Sequence, residues 1–336
     1  MKVDHPALVA VVRHGLATAA ERPTVVADDE VDAFRVYCRT DRISGLAAAA
    51  INAGTVQMSA AGGEGVAADW HEALKASVIL EALLVRTAAR FDELGARWAV
   101  TKGTAVAHLD FDDPGDRCFG DVDVVVHPGD WERVISMLAG GIEGRVATRR
   151  FTAAFGKGET VSIDGMELDL HRRFAVGRFG VRSQMVDCFE VLDSFVLAGR
   201  MLPALSPAMR LVHACFHATL GGGRGLRALR DVAQIALVHH GAVDEAMSVA
   251  ERWDVAAVVA EGIMAAWGGL RLDADHPVAV RARRVRVGRA DRRALKVFAT
   301  DDRFRSQAMT AMGALPWHAR PRFVVSAAGM LVEARR

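Results

Sequence analysis

Residues 121–127, DVDVVVH, constrain this chain more than any other segment. Side chains of a β-strand alternate between two faces. Val122, Val124 and Val126 therefore share a face that must be core, and Asp121 and Asp123 share the opposite one. Two carboxylates on one strand face stand roughly 6–7 Å apart and repel each other. A sheet built only for stability gains nothing from such a pair near its centre. A second segment, MELDLH at 166–171, repeats the logic: Met166, Leu168 and Leu170 point one way, Glu167, Asp169 and His171 the other. If the two strands pair side by side, three or four carboxylates converge on one patch. A divalent cation removes the repulsion, and oxygen-only ligands suit Mg²⁺. Two ions about 3.5–4 Å apart are the arrangement used for phosphoryl chemistry. An Asp-x-Asp strand on its own more often just faces water on an open sheet; the second acidic strand shifts the balance.

The surrounding sequence predicts an α+β fold, a small mixed sheet with helices on one face followed by a mostly helical domain. Three zones are expected. Residues 1–68 are Ala-rich and helical in character, and end in a Gly-containing loop at 60–68. Residues 69–175 form the core. In it Asp69 caps a helix to about Leu94, stopped by Gly95, and 97–101 form a strand. Lys102-Gly103-Thr104, a short helix at 105–109 and an acidic loop at 110–116 follow. Pro128 opens a helix stopped by Gly140-Gly141. Residues 145–155 and 160–172 are extended, with a turn at 156–159 and a second turn or bulge at Asp164-Gly165. Residues 176–336 read mostly as helix, with helices at 209–219 and 226–240.

A Gly-containing turn after a strand, an Asp-x-Asp strand and a carboxylate on a later strand resemble the DNA polymerase beta-like nucleotidyltransferase superfamily. Residues 98–175 resemble, more narrowly, the bacterial uncharacterised nucleotidyltransferase family. The residues that carry the likeness are Lys102-Gly103, Arg117, Gly120-Asp121-Val122-Asp123-Val124-Val125-Val126 and Leu168-Asp169-Leu170-His171. A weaker likeness extends over the helical stretch around His213, His217 and Asp231. The resemblance implies transfer of a nucleoside monophosphate from an NTP, ATP among them, with Mg²⁺ (two ions, Mn²⁺ as a substitute). It implies Asp121, Asp123 and Asp169 as metal ligands and catalytic carboxylates, and Lys102, Gly103, Thr104, Arg117 and Gly120 around the NTP phosphates. Glu167 shares the face of Asp169 and is the other claimant to the third carboxylate. His171 is expected near the acceptor or in hydrogen-bonded support of the carboxylates. Asp123→Asn is expected to abolish turnover with the fold intact. The superfamily's Gly-Gly or Gly-Ser is Lys-Gly-Thr here.

For the acceptor, a small metabolite or peptide of a biosynthetic pathway comes first and tRNA second, with antibiotic modification a third option. The alternative from another class is a non-catalytic nucleotide- or partner-binding protein on the same fold. A net charge of +1 supplies no global field for nucleic acid or membrane. The basic run at 281–296 is either an RNA-facing strip or, more simply, a solvated Arg-rich helix. His213 and His217, four residues apart, fit helix packing better than metal binding, since no Glu follows His213. Gly156-Lys157-Gly158 fits a hairpin turn. Four scattered cysteines without a Cys-x-x-Cys pair fit free thiols in a reducing compartment. The N-terminus does not resemble a signal peptide and no apolar run reaches a membrane span, so a cytoplasmic protein is expected.

Overall fold

A central six-stranded sheet organises the chain, seen in a computed structural model that describes residues 1–16, 23–139, 155–220, 225–239, 241–300 and 304–333. Two short strands, β1 (Thr24–Val25) and β2 (Val56–Gln57), pair in parallel on their own. The large sheet comprises β3 (Trp98–Val100), β4 (Val122–Val126), β5 (Gly158–Ile163), β6 (Met166–His171), β7 (Leu192–Leu197) and β8 (Arg200–Leu205), in the order β5-β6-β4-β3-β8-β7. It is mixed: β4 runs parallel to β6 and antiparallel to β3, which runs parallel to β8.

Both outer hairpins turn on two residues with left-handed backbone. Asp164 and Gly165 have φ of 53° and 77° between β5 and β6, and Ala198 and Gly199 have 48° and 76° between β7 and β8. Such two-residue turns match the twist of the strands they join. The expected turn at Asp164-Gly165 is thus the hairpin itself, whereas 156–159 is no turn, since Gly158 and Glu159 already lie in β5. Gly158 has a packing reason to be glycine: a Cβ there would lie 1.9 Å from the Leu170 carbonyl oxygen. Most of the expected extended segment 145–155, and Gly140-Gly141 with it, lies outside the described residues. The hairpin β7–β8 is new relative to the helical reading of 176–336 and completes the sheet.

The helices before and around the sheet are α1 (Pro6–Arg13), α2 (Val31–Thr40), α3 (Ser44–Asn52), α4 (Ala60–Glu93), α5 (Gly103–Asp110) and α6 (Trp131–Leu138). The expected loop at 60–68 is helical. α4 has 34 residues, and Asp69 lies inside it rather than capping it. The Asp69 carboxylate instead accepts from Arg35 (2.8 and 3.1 Å) and Arg39 (2.9 Å) of α2. The glycines that suggested a loop let α2 come close: a Cβ at Gly65 would lie 2.8 Å from the Arg35 guanidinium, and one at Gly62 3.2 Å from Val31. Each helical glycine costs about 1 kcal/mol relative to alanine, which the packing of α2 on α4 offsets.

Helices cover both faces of the sheet rather than one. Val122, Val124 and Val126 pack against Leu83, Leu84 and Phe91 of α4 and Val134 of α6. Ala99 and Val125, on the opposite face, belong to a larger core built from α1–α3 and the helices after β8. Asp123 alternates onto that second, covered face.

Candidate functional site

The register of two parallel strands builds the site. β4 and β6 pair with Asp123 opposite Asp169 and Val125 opposite His171. Asp123, Asp169 and His171 each present one ligand atom, all within 4.8 Å of one another. Asp123 is 2% exposed, so the open-sheet reading of this carboxylate does not hold. His171 donates from Nε2 to Asp123 Oδ1 at 2.6 Å, and the Lys102 ammonium donates to the same oxygen. Lys102 stands at the turn from β3 into α5, with a left-handed φ of 46°. Asp169 accepts from the Thr160 hydroxyl of β5 at 2.6 Å.

Burial drives the charge states apart. Burial alone pushes the Asp123 carboxyl up, but the Lys102 ammonium and the His171 hydrogen bond outweigh it and hold Asp123 well below the usual carboxylate range. Among the described residues no such cation is bonded to Asp169. Burial, and the Asp123 charge after it, raise its proton affinity against the Thr160 hydrogen bond. Burial with the nearby Lys157 charge pushes His171 down to about 4. Two carboxylates side by side in different electrostatic surroundings are suited to different tasks.

The other expected residues are placed unequally. Asp121 lies just before β4, half-buried, with Arg42 donating to its Oδ1 at 3.4 Å. Glu167 is exposed, next to Asp121 if the β4–β6 register is continued, and outside the convergent group. Gly103 opens α5, where a Cβ would lie 2.9 Å from Phe119 Cβ, and Thr104 is buried behind it. Gly120 carries the Arg42 guanidinium, 2.4 Å from where its Cβ would stand. Arg117, expected beside phosphates, is engaged elsewhere. It is 3% exposed and donates from Nε (2.8 Å) and Nη2 (2.7 Å) to the two carboxylate oxygens of Asp231. Its guanidinium ties the sheet region to the helix Leu226–Val238.

Several residues join the site that sequence reasoning set aside. His213, on the helix Pro207–Leu220, lies over the carboxylates. Its ring centroid is 6.0 Å from that of His171, and its Nδ1 is 3.0 Å from the Thr101 hydroxyl. Burial, and then Lys102, hold it neutral, and His217 one turn on is pushed down to about 3 by the same two causes. Lys157 is no turn residue: burial and the Lys102 charge lower its pKa, while Asp123, Asp169 and Asp121 oppose them. Arg42 comes from the junction of α2 and α3. The i, i+4 spacing of the histidines was the one available signal, and it is equally the spacing of a packed helix face.

Among the described residues, four buried polar atoms here have no protein partner: Asp123 Oδ2, Thr104 Oγ1, His171 Nδ1 and His213 Nε2. Each such atom costs about 1–3 kcal/mol if nothing satisfies it. An orphaned carboxylate oxygen next to a second carboxylate fits a divalent cation, so the donor set agrees with a metal.

Residues 27–266 match the family described as uncharacterised nucleotidyltransferase. The chain belongs to that family, and the match takes in α2 and α3 as well as the carboxylate strands. No curated protein matches. Among solved structures, an antigenic nucleotidyltransferase-like protein from Paracoccidioides brasiliensis is similar at 15% identity and a TM-score of 0.32, over 55% of this chain and 93% of that one. That likeness is too low to support an argument about the site.

Proposed function

We propose that this protein transfers a nucleoside monophosphate from an NTP to an acceptor hydroxyl, phosphate or carboxylate, releasing pyrophosphate. The observation that carries the proposal is the parallel register of Asp123 beside Asp169, with the N-terminus of α5 and Lys102 at the same place. Asp121, Asp123 and Asp169 are the residues to hold Mg²⁺ or Mn²⁺. When bound, the metal supplies charge neutralisation for the triphosphate and acidifies the attacking hydroxyl.

The chain's own groups do the rest. Lys102, released from Asp123, neutralises phosphate charge, joined by the first amides of α5 at Gly103 and Thr104. Arg42 and Lys157 add positive charge on either side of the carboxylates, the role first expected of Arg117. Asp169, opposite Asp123 on β6, takes the proton of the acceptor hydroxyl. The acceptor oxygen bonds to the α-phosphorus and the bond to pyrophosphate breaks. Positioning and electrostatics carry the rate, with no covalent enzyme intermediate.

The acceptor we favour is a small metabolite or peptide. tRNA is the second reading, and one observation favours it: Arg289, Arg292, Arg293 and Lys296 lie exposed along one side of the helix Arg289–Thr300. Arg281, by contrast, is spent on Asp244 and Glu251. A salt-sensitive RNA mobility shift lost on reversing those four charges would support tRNA. Among the described residues no helix is long and apolar enough to cross a membrane. The four cysteines are free and buried, which fits a reducing cytoplasm.

The direct test is a thermal-shift titration with Mg²⁺ or Mn²⁺ and each of the four NTPs, on wild type and Asp169→Asn. A ligand at 100 times its Kd stabilises the folded state by about 2.7 kcal/mol. A metal-dependent rise in Tm with at least one NTP, weakened in the variant, is expected. A flat Tm with all four NTPs and both metals would replace the proposal with a non-catalytic partner-binding protein.

A further inference from the structure

We infer that Arg227 grips a carboxylate or phosphate of the acceptor at a place the NTP does not fill, so that the acceptor is an anionic small molecule. This deepens the proposed transfer and rests on it for the NTP and its ions. Nothing in the family match assigns a role to Arg227.

Arg227 is the second residue of the helix Leu226–Val238. Its backbone N–H donates to Asp41 Oδ2 at 3.0 Å. Among the described residues its half-buried guanidinium has neither a hydrogen-bond acceptor nor an ion pair, and its Nε is buried. Arginines this far inside a protein are ordinarily paired, because a buried charge without a partner is costly.

The carboxylates that act on Arg227 most are Asp231 and Asp41, and both are engaged. Asp231 accepts from Nε and Nη2 of Arg117 at 2.8 and 2.7 Å. Asp41 lies against the start of the helix. There it accepts from the Arg227 amide, and a Cβ at Gly225 would stand 2.1 Å from its Oδ1. The other charges that reach Arg227 are the cations Arg117 and Arg42. Burial first, and Arg117 next, lower its pKa, as befits a cation short of a counter-charge.

This guanidinium belongs to the site. The charges of Lys102, Arg227 and Lys157 act together on the His217 ring, so all three stand around one space. Arg42 stands near Arg227 and donates to Asp121 Oδ1 at 3.4 Å. Its φ of 55° is left-handed, the conformation that glycine usually takes just after a helix. An arginine held there costs about 1–2 kcal/mol, and its guanidinium lies over Gly120.

A count of charges assigns Arg227 to the acceptor rather than the donor. The charge of a triphosphate and that of two divalent ions roughly cancel. The protein's own groups then set the balance. Asp121, Asp123 and Asp169 are matched by Lys102, Lys157 and Arg42, each with at least one of those carboxylates in reach. Arg227 is left over. An acceptor bearing one carboxylate or phosphate restores neutrality, and the planar guanidinium with its parallel N–H groups suits either. A polycationic acceptor does not fit.

The experiment uses full-length protein with inorganic phosphate as the probe. Isothermal titration calorimetry follows phosphate binding to the free protein and to protein saturated with Mg²⁺ and the α,β-methylene analogue of its preferred NTP, which cannot be cleaved. Phosphate should bind the loaded protein. In Arg227→Gln that affinity should fall about tenfold or more, the loss of a charge-assisted hydrogen bond. Affinity for the analogue should change by no more than about twofold at about 0.15 M salt, where charges farther apart than roughly 8 Å are screened. Arg227→Lys, which keeps the charge but not the fork, should lose less phosphate affinity than Arg227→Gln. Arg227→Gln should also melt no lower than wild type, since it removes a charge without a partner. A lower Tm would make Arg227 a structural ion-pair partner and overturn the proposal. Phosphate excluded by the analogue, or both ligands weakened alike in Arg227→Gln, would place Arg227 at the triphosphate and overturn it too. So would phosphate binding that the variant leaves unchanged. If wild type binds no NTP analogue, the transfer reading fails, while dependence of phosphate binding on Arg227 in the free protein still decides the anion site.

Discussion

At the scale of single residues, Asp123 shows how far alternation along a strand can be trusted. Alternation correctly gives the face it shares with Asp121 and the core face of Val122, Val124 and Val126. It does not reveal what lies opposite, and that reverses one expectation. From sequence, Asp123→Asn relieves repulsion and leaves the fold intact. In the structure Asp123 is flanked by the Lys102 ammonium and a donated hydrogen bond from His171. The substitution strands Lys102, whose side chain is only 13% exposed. Breaking a buried pair by removing one partner costs about 3–5 kcal/mol; the upper half of that range is excluded here by the exposure of Lys102. Asp123→Asn should therefore abolish transfer and also lower stability in denaturant titrations at pH 7. The folded pKa of Asp123 is depressed. Its contribution is thus complete above the unfolded carboxylate value and is lost as pH falls through the folded one, so the gap between wild type and variant should narrow in acid. Equal stability at pH 7 would mean that the Lys102–Asp123 pair is not formed. Lys157, His213 and Arg42 escaped detection for a common reason. His213 and Arg42 reach the carboxylates from distant parts of the chain and Lys157 from the residue just before β5, and nothing in their local spacing distinguishes them from packed or solvated residues.

At the scale of elements, legibility followed the locality of the signal. The strands β3, β4 and β6, the start of the helix Pro207–Leu220 and the end of α4 near Gly95 all carry their cues within a few residues. The first turns of α4 and the hairpin β7–β8 do not. The glycines of α4 are explained by Arg35 and Val31 of α2. The exposed apolar residues Val196 and Met201 blur the alternation of β7 and β8. The ion pair of Arg117 with Asp231 belongs to this scale too, since it joins the segment before β4 to the helix Leu226–Val238. Arg117→Ala should lower stability by about 3–5 kcal/mol, because it leaves the Asp231 charge buried alone. If calorimetry instead finds normal stability with a raised KM for NTP, Arg117 serves the phosphates as the sequence suggested. The short 3₁₀ turn Pro114–Asp116 offers a pH test. Burial first, and Asp113 next, push Asp116 up to about 6 from an ordinary 3.8. Between those values the folded state holds the proton more tightly than the unfolded one. Stability therefore falls as pH rises through this window, and the penalty is complete above it. Asp116→Asn should raise Tm at pH 8 and leave it unchanged near the unfolded carboxylate value; the same increment at both pH values would rule out a charge effect.

At the scale of the whole molecule, the described residues among 1–58, most of the zone 1–68, are structural partners of the C-terminal half. The sequence offered no role for this zone because its cues are generic: alanines, valines and a few arginines. Ala7, Leu8, Ala10, Val11 and Val12 of α1 and Phe34 of α2 are buried in the same core as Trp253 and Trp267. Arg230, from the helix Leu226–Val238, donates to the carbonyls of Val12 (2.8 Å) and His14 (2.5 Å). The same zone supplies Arg42 to Asp121. Its two contributions, core and charge, can be separated. Deleting residues 1–58 exposes the large core and should give a protein without a cooperative unfolding transition. Arg42→Ala removes a pair whose arginine is 41% exposed, and such pairs are worth at most about 1 kcal/mol. That variant should melt close to wild type yet bind NTP more weakly, because Arg42 is a cation against Asp121 and Gly120 and no longer balances the incoming phosphates. The measurement is the Kd of the preferred NTP with Mn²⁺ on both proteins at two salt concentrations. A several-fold loss that shrinks at high salt is expected, since screening acts on wild type and has less to remove in the variant. An unchanged Kd would confine Arg42 to orienting Asp121 and leave Lys102, Lys157 and α5 as the whole of the phosphate site.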